Sequence, residues 1–93
     1  MIIGTCMVEI MIHDANSLKD KRQVVKSIIG KLKSRFNISV AEVDLNEKWR
    51  LSVIGFACVT NDTVHANQQI SKVLKFIERD TRVEIIDEQI EIL

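Results

Sequence analysis

The sequence contains no proline and no tyrosine, and only three glycines and two cysteines among its 93 residues. Gly4, Gly30 and Gly55 are isolated from one another, so none of them belongs to a glycine-rich loop of the kind that cradles phosphates. Cys6 and Cys58 are too few for a disulfide framework and lack the spacing of a zinc site. We therefore expect neither a cofactor nor a bound metal.

Aromatic residues are also scarce, with one tryptophan and three phenylalanines, each inside or beside an apolar run. This number is too small for a row of side chains that stack on single-stranded bases. Long apolar segments are missing as well. The apolar opening, residues 1–12, is interrupted by Glu9, is too short to span a bilayer and does not resemble a signal peptide. The sequence predicts a cytoplasmic protein without membrane contacts.

Apolar residues make up 46% and charged residues 28% of the chain, proportions that are typical of a globular domain. No linker or low-complexity segment divides the sequence, and we expect residues 1–93 to form a single domain. The spacing of the apolar residues predicts strands over 3–13, 38–45, 49–60 and 82–93 and helices over 18–36 and 63–79.

The predicted order, β-α-β-β-α-β, is that of an α+β protein with a ferredoxin-like fold. We expect a four-stranded antiparallel sheet in the order 4-1-3-2 with two helices on one face. In this order the first and third strands are central, and they are also the two most apolar strands. The helices are predicted to begin after Ser17, with Asp20 as the second half of a capping box, and after Asn61 or Asp62.

Alternation along the strands predicts which side chains face the core. In the first strand these are Cys6, Val8, Ile10 and Ile12. In the second strand, Ala41, Val43 and Leu45 are expected inside, and Glu42 and Asp44 outside. We also expect strand irregularities at Gly55 and at Ile85-Ile86, where the alternation breaks.

Positive charge is concentrated in the first predicted helix. Residues 18–36 contain seven basic residues and one acid, Asp20, although the whole chain has 13 of each. Lys19, Lys21 and Arg22 fall in the first helical turn, where the helix macrodipole disfavours cations. Helix stability alone therefore does not explain their position.

A basic helix face is typical of proteins that bind nucleic-acid phosphates. We expect contact with RNA or the ribosome through eight cations of the two helices, namely Lys19, Lys21, Arg22, Lys26, Lys33, Lys72, Lys75 and Arg79. Such binding would be directed to the phosphate backbone and would weaken as salt is added. The alternative is a solvated helix face without a partner, because lysine and arginine are good helix formers.

The sheet face that the helices leave uncovered is a second candidate surface. Met7 and Met11 point outward from the first strand, and one side-chain set of the third strand must lie beside them. We expect a homodimer or partner interface formed by Met7, Met11, Ile54 and Phe56. Because both sets of the third strand are apolar, the pattern leaves open the opposite set, which is Leu51, Val53, Gly55, Ala57 and Val59.

Catalytic signals are weak. His13 and Asp14, with Ser17 nearby, offer a base and its orienting carboxylate, but a strand-end histidine beside a turn and a helix cap explains the same residues. The two histidines and two cysteines are too dispersed for a metal site. We expect a protein that is not an enzyme and has no small-molecule substrate.

The segments SLKDKRQVVKSI and RFNISVAEVD, followed by a tryptophan and VIGFACVTND, resemble the YlxP-like family of small bacterial proteins, a domain of unknown function. The similarity covers essentially the whole chain, and it implies a ferredoxin-like fold. Through the genes that often neighbour those of the family, it also implies a role near rRNA processing, ribosome assembly or translation. It implies no catalytic residue. The residues that match the family motif without a defined role are Ser17, Leu18, Lys19, Lys21 and Arg22.

Overall fold

The strand order of the sheet agrees with the topology predicted from the sequence. The computed structural model describes all 93 residues, with strands β1 (Ile2–Ile12), β2 (Ser39–Asp44), β3 (Leu51–Thr60) and β4 (Val83–Ile92). They form one antiparallel sheet in the order β2-β3-β1-β4, which is 4-1-3-2 when it is read from the other edge. Helix α1 spans Leu18–Arg35 and helix α2 spans Thr63–Glu78.

Both helices begin at the caps that the sequence predicts. The Ser17 hydroxyl accepts a 3.1 Å hydrogen bond from the Asp20 N–H, and the Asp62 carboxylate accepts one of 3.0 Å from the Val64 N–H. The Asp20 carboxylate accepts from the N–H of Asn16, one residue before the cap. The reciprocal half of the capping box is therefore shifted by one residue. Neither helix is both long and apolar enough to cross a bilayer.

The core is one apolar cluster to which both helices and the sheet contribute. The β1 residues predicted to face inward, Cys6, Val8, Ile10 and Ile12, are all buried in it. The same cluster contains Ile54 and Phe56 of β3, with Val25, Ile28 and Leu32 of α1 and Ile70, Val73, Leu74 and Ile77 of α2. Burying each large aliphatic side chain contributes about 1.5–3 kcal/mol before the entropic cost of ordering it.

Two strands contain an extra residue. Between β1 and β4, Glu9 pairs with Asp87 and Ile10 pairs with Ile85. Ile86 is therefore the extra residue of β4, and the predicted irregularity at Ile85-Ile86 is confirmed. The prediction of an irregularity at Gly55 is wrong, because the extra residue lies on the neighbouring strand β2, at Val43.

Gly55 is instead the residue over which Val43 packs. A methyl group at position 55 would lie 2.9 Å from Val43 Cγ1, which is closer than two non-bonded carbon atoms approach one another. The lack of a side chain at Gly55 therefore makes room for the extra residue of β2.

The orientation predicted for β2 is also wrong. Val40 is buried and Glu42 is half-buried, whereas Ala41 and Val43 are exposed. Leu45 lies beyond the strand, in the left-handed region with φ 58°. A glutamate occupies an inward position of β2 because a buried lysine from α1 reaches it, as described below.

Candidate functional site

Charge is sharply divided between the helices and the strands. The helices contain nine lysines and arginines and only two acids, Asp20 and Glu78. The strands contain seven acids and no lysine or arginine. Because the connecting segments contain four residues of each sign, the neutral chain separates into helices with a net charge of +7 and strands with a net charge of −7.

Most of the cations predicted to bind RNA are exposed and have no carboxylate partner. Apart from Lys21, all of them are exposed: Lys19, Arg22, Lys26, Lys33, Lys72, Lys75 and Arg79. The structure contains only two ion pairs within 4.0 Å, Lys21–Glu42 and Arg82–Asp80. The positive charge of the seven exposed residues is therefore available to an external anion.

Lys21 is different, because its side chain is completely buried, with 0% exposure. Its ammonium group donates hydrogen bonds to the backbone carbonyls of Leu45, Asn46 and Leu51 at 2.8, 3.2 and 3.2 Å. It also lies 2.9 Å from Glu42 Oε2. The prediction that Lys21 contacts RNA is therefore wrong, since its charge is neutralised inside the protein.

The Lys21 ammonium joins α1 to the connection between β2 and β3. Glu42 Oε2 also accepts a 2.6 Å hydrogen bond from the buried hydroxyl of Ser52, and no buried side-chain nitrogen or oxygen lacks a partner. A signal for this role exists in the sequence. Lys21 precedes the buried Val25 and Ile28 by four and seven residues, a spacing that places it within the apolar stripe of the helix.

The contacts of the C-terminal half of α1 show which of its flanks faces α2. The Arg35 guanidinium lies 4.9 Å from the centroid of the Phe76 ring, and Ser27 Oγ accepts a 3.2 Å hydrogen bond from Arg82. At about 100° per residue, the α1 cations selected from the sequence lie on the other flank, turned away from α2. We call this the outer flank of α1, and it carries Lys19, Arg22, Lys26 and Lys33. The selected α1 cations and those of α2 therefore form separate parts of the surface.

A groove of about 550 Å³ lies beside the C-terminal parts of both helices. We call it the interhelical groove, and it is lined by Lys31, Arg35, Phe76, Arg79, Asp80, Thr81 and Arg82. Of the four cations in this groove, only Arg79 is among the residues predicted from the sequence to bind. Lys31 and Arg35 lie on the less populated flank of α1, and Arg82 lies in the segment after α2, so charge counting along the two helices does not select them.

The single acid of the interhelical groove is paired. Asp80 accepts hydrogen bonds from Nε and Nη2 of Arg82 at 2.9 and 2.7 Å. These bonds lower the pKa of the Asp80 carboxyl and raise the pKa of the Arg82 guanidinium. Asp80 is thus paired with Arg82, and Lys31 makes a smaller contribution to lowering its pKa. No other carboxylate lines the groove, which keeps an excess of positive charge.

On the sheet, the structure separates the residues that the sequence proposed as one interface. Met7 is 48% exposed and Met11 is half-buried, but Ile54 and Phe56 are 0% and 4% exposed. Their assignment to an interface is wrong, because they belong to the core cluster. The opposite set of β3 lies beside the methionines, with Gly55 paired to Met7 and Leu51 paired to Met11.

This sheet face has an apolar centre and an acidic margin. Val43 and Val59 are 51% and 68% exposed, and a shallow depression of about 300 Å³ is lined in part by Met7, Val43 and Gly55. In β4, Glu84, Asp87 and Glu91 pair with Met11, Glu9 and Thr5 respectively. Since directly paired residues point to the same face of a sheet, these acids lie along one side of the apolar centre.

A smaller cavity of about 220 Å³ lies at the end of β1. His13, Asp14, Asp20 and Arg82 are among the residues that line it. The two consecutive residues that the sequence singled out as a catalytic candidate therefore share one small cavity. The Ser17 hydroxyl accepts from the Asp20 N–H and acts as a helix cap. No three histidine, cysteine, aspartate or glutamate side chains are grouped so that they could hold a metal ion.

Residues 3–90 match a protein family described as "Protein of unknown function (DUF503)". The chain belongs to this family. It is 34% identical over 83 residues to "Uncharacterized protein YlxP" of Bacillus subtilis (strain 168), a match that covers 89% of this chain and 90% of that protein. The resemblance to the YlxP-like family noted in the sequence is confirmed.

Solved structures with similar topology confirm the ferredoxin-like fold of this DUF503 protein. A designed protein with a ferredoxin fold, LFR1 1, superimposes with a TM-score of 0.57 at 16% identity, covering 98% of this chain and 86% of that one. A dimeric ferredoxin-like protein from an uncultured marine organism gives 0.52 at 11% identity, covering 100% and 96%. At such low identities the likeness shows the fold alone.

Proposed function

We propose that this DUF503 protein is a non-enzymatic, cytoplasmic RNA- or ribosome-associated protein that contacts phosphates through the exposed cations of its helices. The observation that carries the proposal is the charge division, with a net +7 in the helices and −7 in the strands. Solubility does not require this division, because mixed lysine and glutamate pairs four residues apart would stabilise the helices better. The exposed helical cations also have no carboxylate within 4.0 Å.

The placement of the helices supports a one-sided binding surface. Their buried side chains join a single cluster with one side-chain set of β1 and β3, from which we infer that both helices lie on the same face of the sheet. An RNA chain would then approach the positive helices, while the acidic strand residues of the opposite face would repel it. This arrangement orients a protein with zero net charge on a phosphate backbone.

The binding mode follows from the side chains that are available. Trp49 is the only aromatic residue that is largely exposed, and Phe36, Phe56 and Phe76 are buried or half-buried. Base stacking therefore contributes little, and most of the affinity comes from phosphate contacts. Each contact adds about 0.7 to 0.9 to the slope of log affinity against log salt concentration.

The test compares two triple variants with the same change of net charge. Lys19→Gln, Arg22→Gln and Lys26→Gln together remove three positive charges from the outer flank of α1. The matched control adds three negative charges at exposed positions outside the helices: Asn46→Asp, Asn61→Asp and Gln89→Glu. RNA co-sedimentation at low salt should fall by about tenfold or more in the first variant and only slightly in the control. Equal binding by the two folded variants would refute the helical site.

A second candidate function is favoured by the exposed apolar centre of the sheet, where Met7, Val43 and Val59 are about half exposed or more. Here the uncovered face would bind a second copy of the chain or another protein, with no role for RNA. A structurally similar protein of the same fold is itself described as dimeric. Sedimentation of the purified protein tests the dimer, which Met7→Glu should dissociate; a monomer at every concentration would exclude it.

A further inference from the structure

The interhelical groove is a concave part of the surface with a marked excess of positive charge. Lys31, Arg35, Arg79 and Arg82 line it together with a single carboxylate, so three positive charges are left without compensation. Its volume is about 550 Å³, and Phe76 is its one hydrophobic lining residue. The groove is therefore an open concavity in which four cations lie close together.

Two of its four cations are held in place by contacts within the protein. Arg82 donates to both Asp80 oxygens and to Ser27 Oγ through Nε and Nη2, which leaves the Nη1 amino group outside these bonds. Arg35 lies over the ring of Phe76 at 4.9 Å, and Phe36 packs edge-on against the same ring at 5.9 Å. Side chains that are ordered in advance lose less conformational entropy when a ligand binds.

Stabilisation of the helix ends explains only part of this cluster. A cation in the last turn of a helix interacts favourably with the macrodipole, and this accounts for Arg35. Lys31 lies before the last turn of α1, and Arg82 follows α2 by four residues. Neither position is favoured by the dipole of its own helix. Arg82 is instead paired with Asp80, and Lys31 lies near enough to the same carboxylate to help lower its pKa. One carboxylate still leaves the four cations of the groove with an excess of three positive charges.

We propose that the interhelical groove binds a dianionic phosphate group, such as the terminal phosphate of an RNA chain or of a free nucleotide. A terminal phosphate carries about −1.5 to −2 charge near neutral pH and presents three acceptor oxygens, whereas each phosphodiester carries a single negative charge. The three uncompensated charges match the terminal group better. If the ligand is the end of an RNA chain, this inference rests on the proposed function. It then adds recognition of the chain end to contact with the phosphate backbone.

The experiment uses two double variants with equal changes of charge. Lys31→Gln with Arg79→Gln alters exposed groove residues that take no part in the Arg82 and Phe76 contacts. Lys19→Gln with Lys26→Gln alters the outer flank of α1 and serves as the control. Each protein is titrated with inorganic phosphate and with a nucleoside monophosphate while amide NMR shifts are recorded. Its affinity is also measured for one RNA oligomer with either a 5′-phosphate or a 5′-hydroxyl end.

In the wild type, inorganic phosphate should shift the amides around Lys31, Arg35 and residues 76–82. The 5′-phosphate should strengthen RNA binding about tenfold, which is the contribution of one charged hydrogen bond. The groove variant should lose both effects, and the outer-flank variant should keep them. Phosphate or nucleotide binding in the groove without a preference for the RNA end would support the site and identify a free phosphate compound as its ligand.

The failure of this inference can be told apart from the failure of the proposed function. If RNA binds but phosphate causes no shifts in the groove and the RNA end has no effect, the groove proposal is overturned and backbone binding stands. If RNA does not bind at all, the proposed function fails. The phosphate titration alone then decides the groove, and the absence of groove shifts overturns it.

Discussion

Replacing Lys21 by methionine removes the only cation buried in the protein while preserving most of the side-chain volume. The Glu42 carboxylate, 16% exposed, then loses its counter-charge, and three backbone carbonyls each lose one hydrogen bond. Removing one partner of a buried ion pair typically costs about 3–5 kcal/mol. Since a domain of this length is stable by about 5–14 kcal/mol, Lys21→Met should remove a large part of its free energy of unfolding.

Urea unfolding followed by far-ultraviolet circular dichroism measures this loss. Lys19→Met is the matched control, because it makes the same substitution two residues earlier at an exposed position, and it should change stability by no more than about 0.5 kcal/mol. The melting temperature of Lys21→Met should fall by at least about 12 °C relative to that control.

A double variant separates the ion pair from simple packing. Adding Glu42→Gln to Lys21→Met removes the uncompensated carboxylate, so it should restore about 1–2 kcal/mol of the lost stability. A Lys21→Met protein that differs from Lys19→Met by less than about 1 kcal/mol would refute the claim that the buried ammonium holds the connection between β2 and β3.

Three further predictions concern packing and pH. Gly4→Ala should destabilise the protein by about 1–3 kcal/mol in urea unfolding, because the new methyl would lie 3.1–3.3 Å from three neighbouring side chains; an unchanged midpoint would contradict this. Burial, with a smaller contribution from a nearby glutamate, raises the Cys6 pKa from 9.0 to about 11. The protonated Cys6 thiol therefore contributes fully to the free energy of unfolding below pH 9. This contribution falls by about 2–3 kcal/mol as pH rises towards 11, and the Cys6→Ala variant should lack this loss in urea unfolding at alkaline pH. Hydrogen bonds from Arg82 lower the Asp80 pKa below 3.8, so this pair stabilises the fold above that pH and loses its effect as pH falls. Because the pair is partly exposed, Asp80→Asn should remove less than about 1 kcal/mol of this pH-dependent stability in urea unfolding.

The fold could be predicted because several local signals agree. The alternation of β1, the two helix caps and the break at Ile85-Ile86 each depend on residues close together in the chain, and the structure confirms all of them. The two most apolar strands are β1 and β3, and this signal also predicts their central positions in the sheet correctly.

The orientation of β2 and β3 could not be predicted, because it depends on a contact that is distant in sequence. Glu42 faces inward since Lys21, 21 residues earlier, neutralises it, and Ser52 faces inward since Glu42 accepts its hydrogen bond. A pattern with a period of two cannot distinguish the two faces of an apolar strand. The same buried network therefore reversed the predicted interface residues of β3 and removed Lys21 from the predicted RNA surface.

Only part of the candidate surface could be predicted, because the rest also depends on contacts between residues that are distant in sequence. Charge counting along the chain located the exposed cations of α1 and α2, but it could not show that Lys31 and Arg35 face Arg82. That arrangement arises only when the two helices pack beside each other.

A salt series of RNA affinities tests most directly whether the exposed helical cations bind RNA through its phosphates, as we propose. Between about 50 and 200 mM salt, the wild-type affinity should fall steeply, and the slope for Lys19→Gln with Arg22→Gln and Lys26→Gln should be smaller by about two units. The control with acids at Asn46, Asn61 and Gln89 should keep the wild-type slope. A wild-type affinity that does not change with salt, or the same slope in all three proteins, would contradict the account.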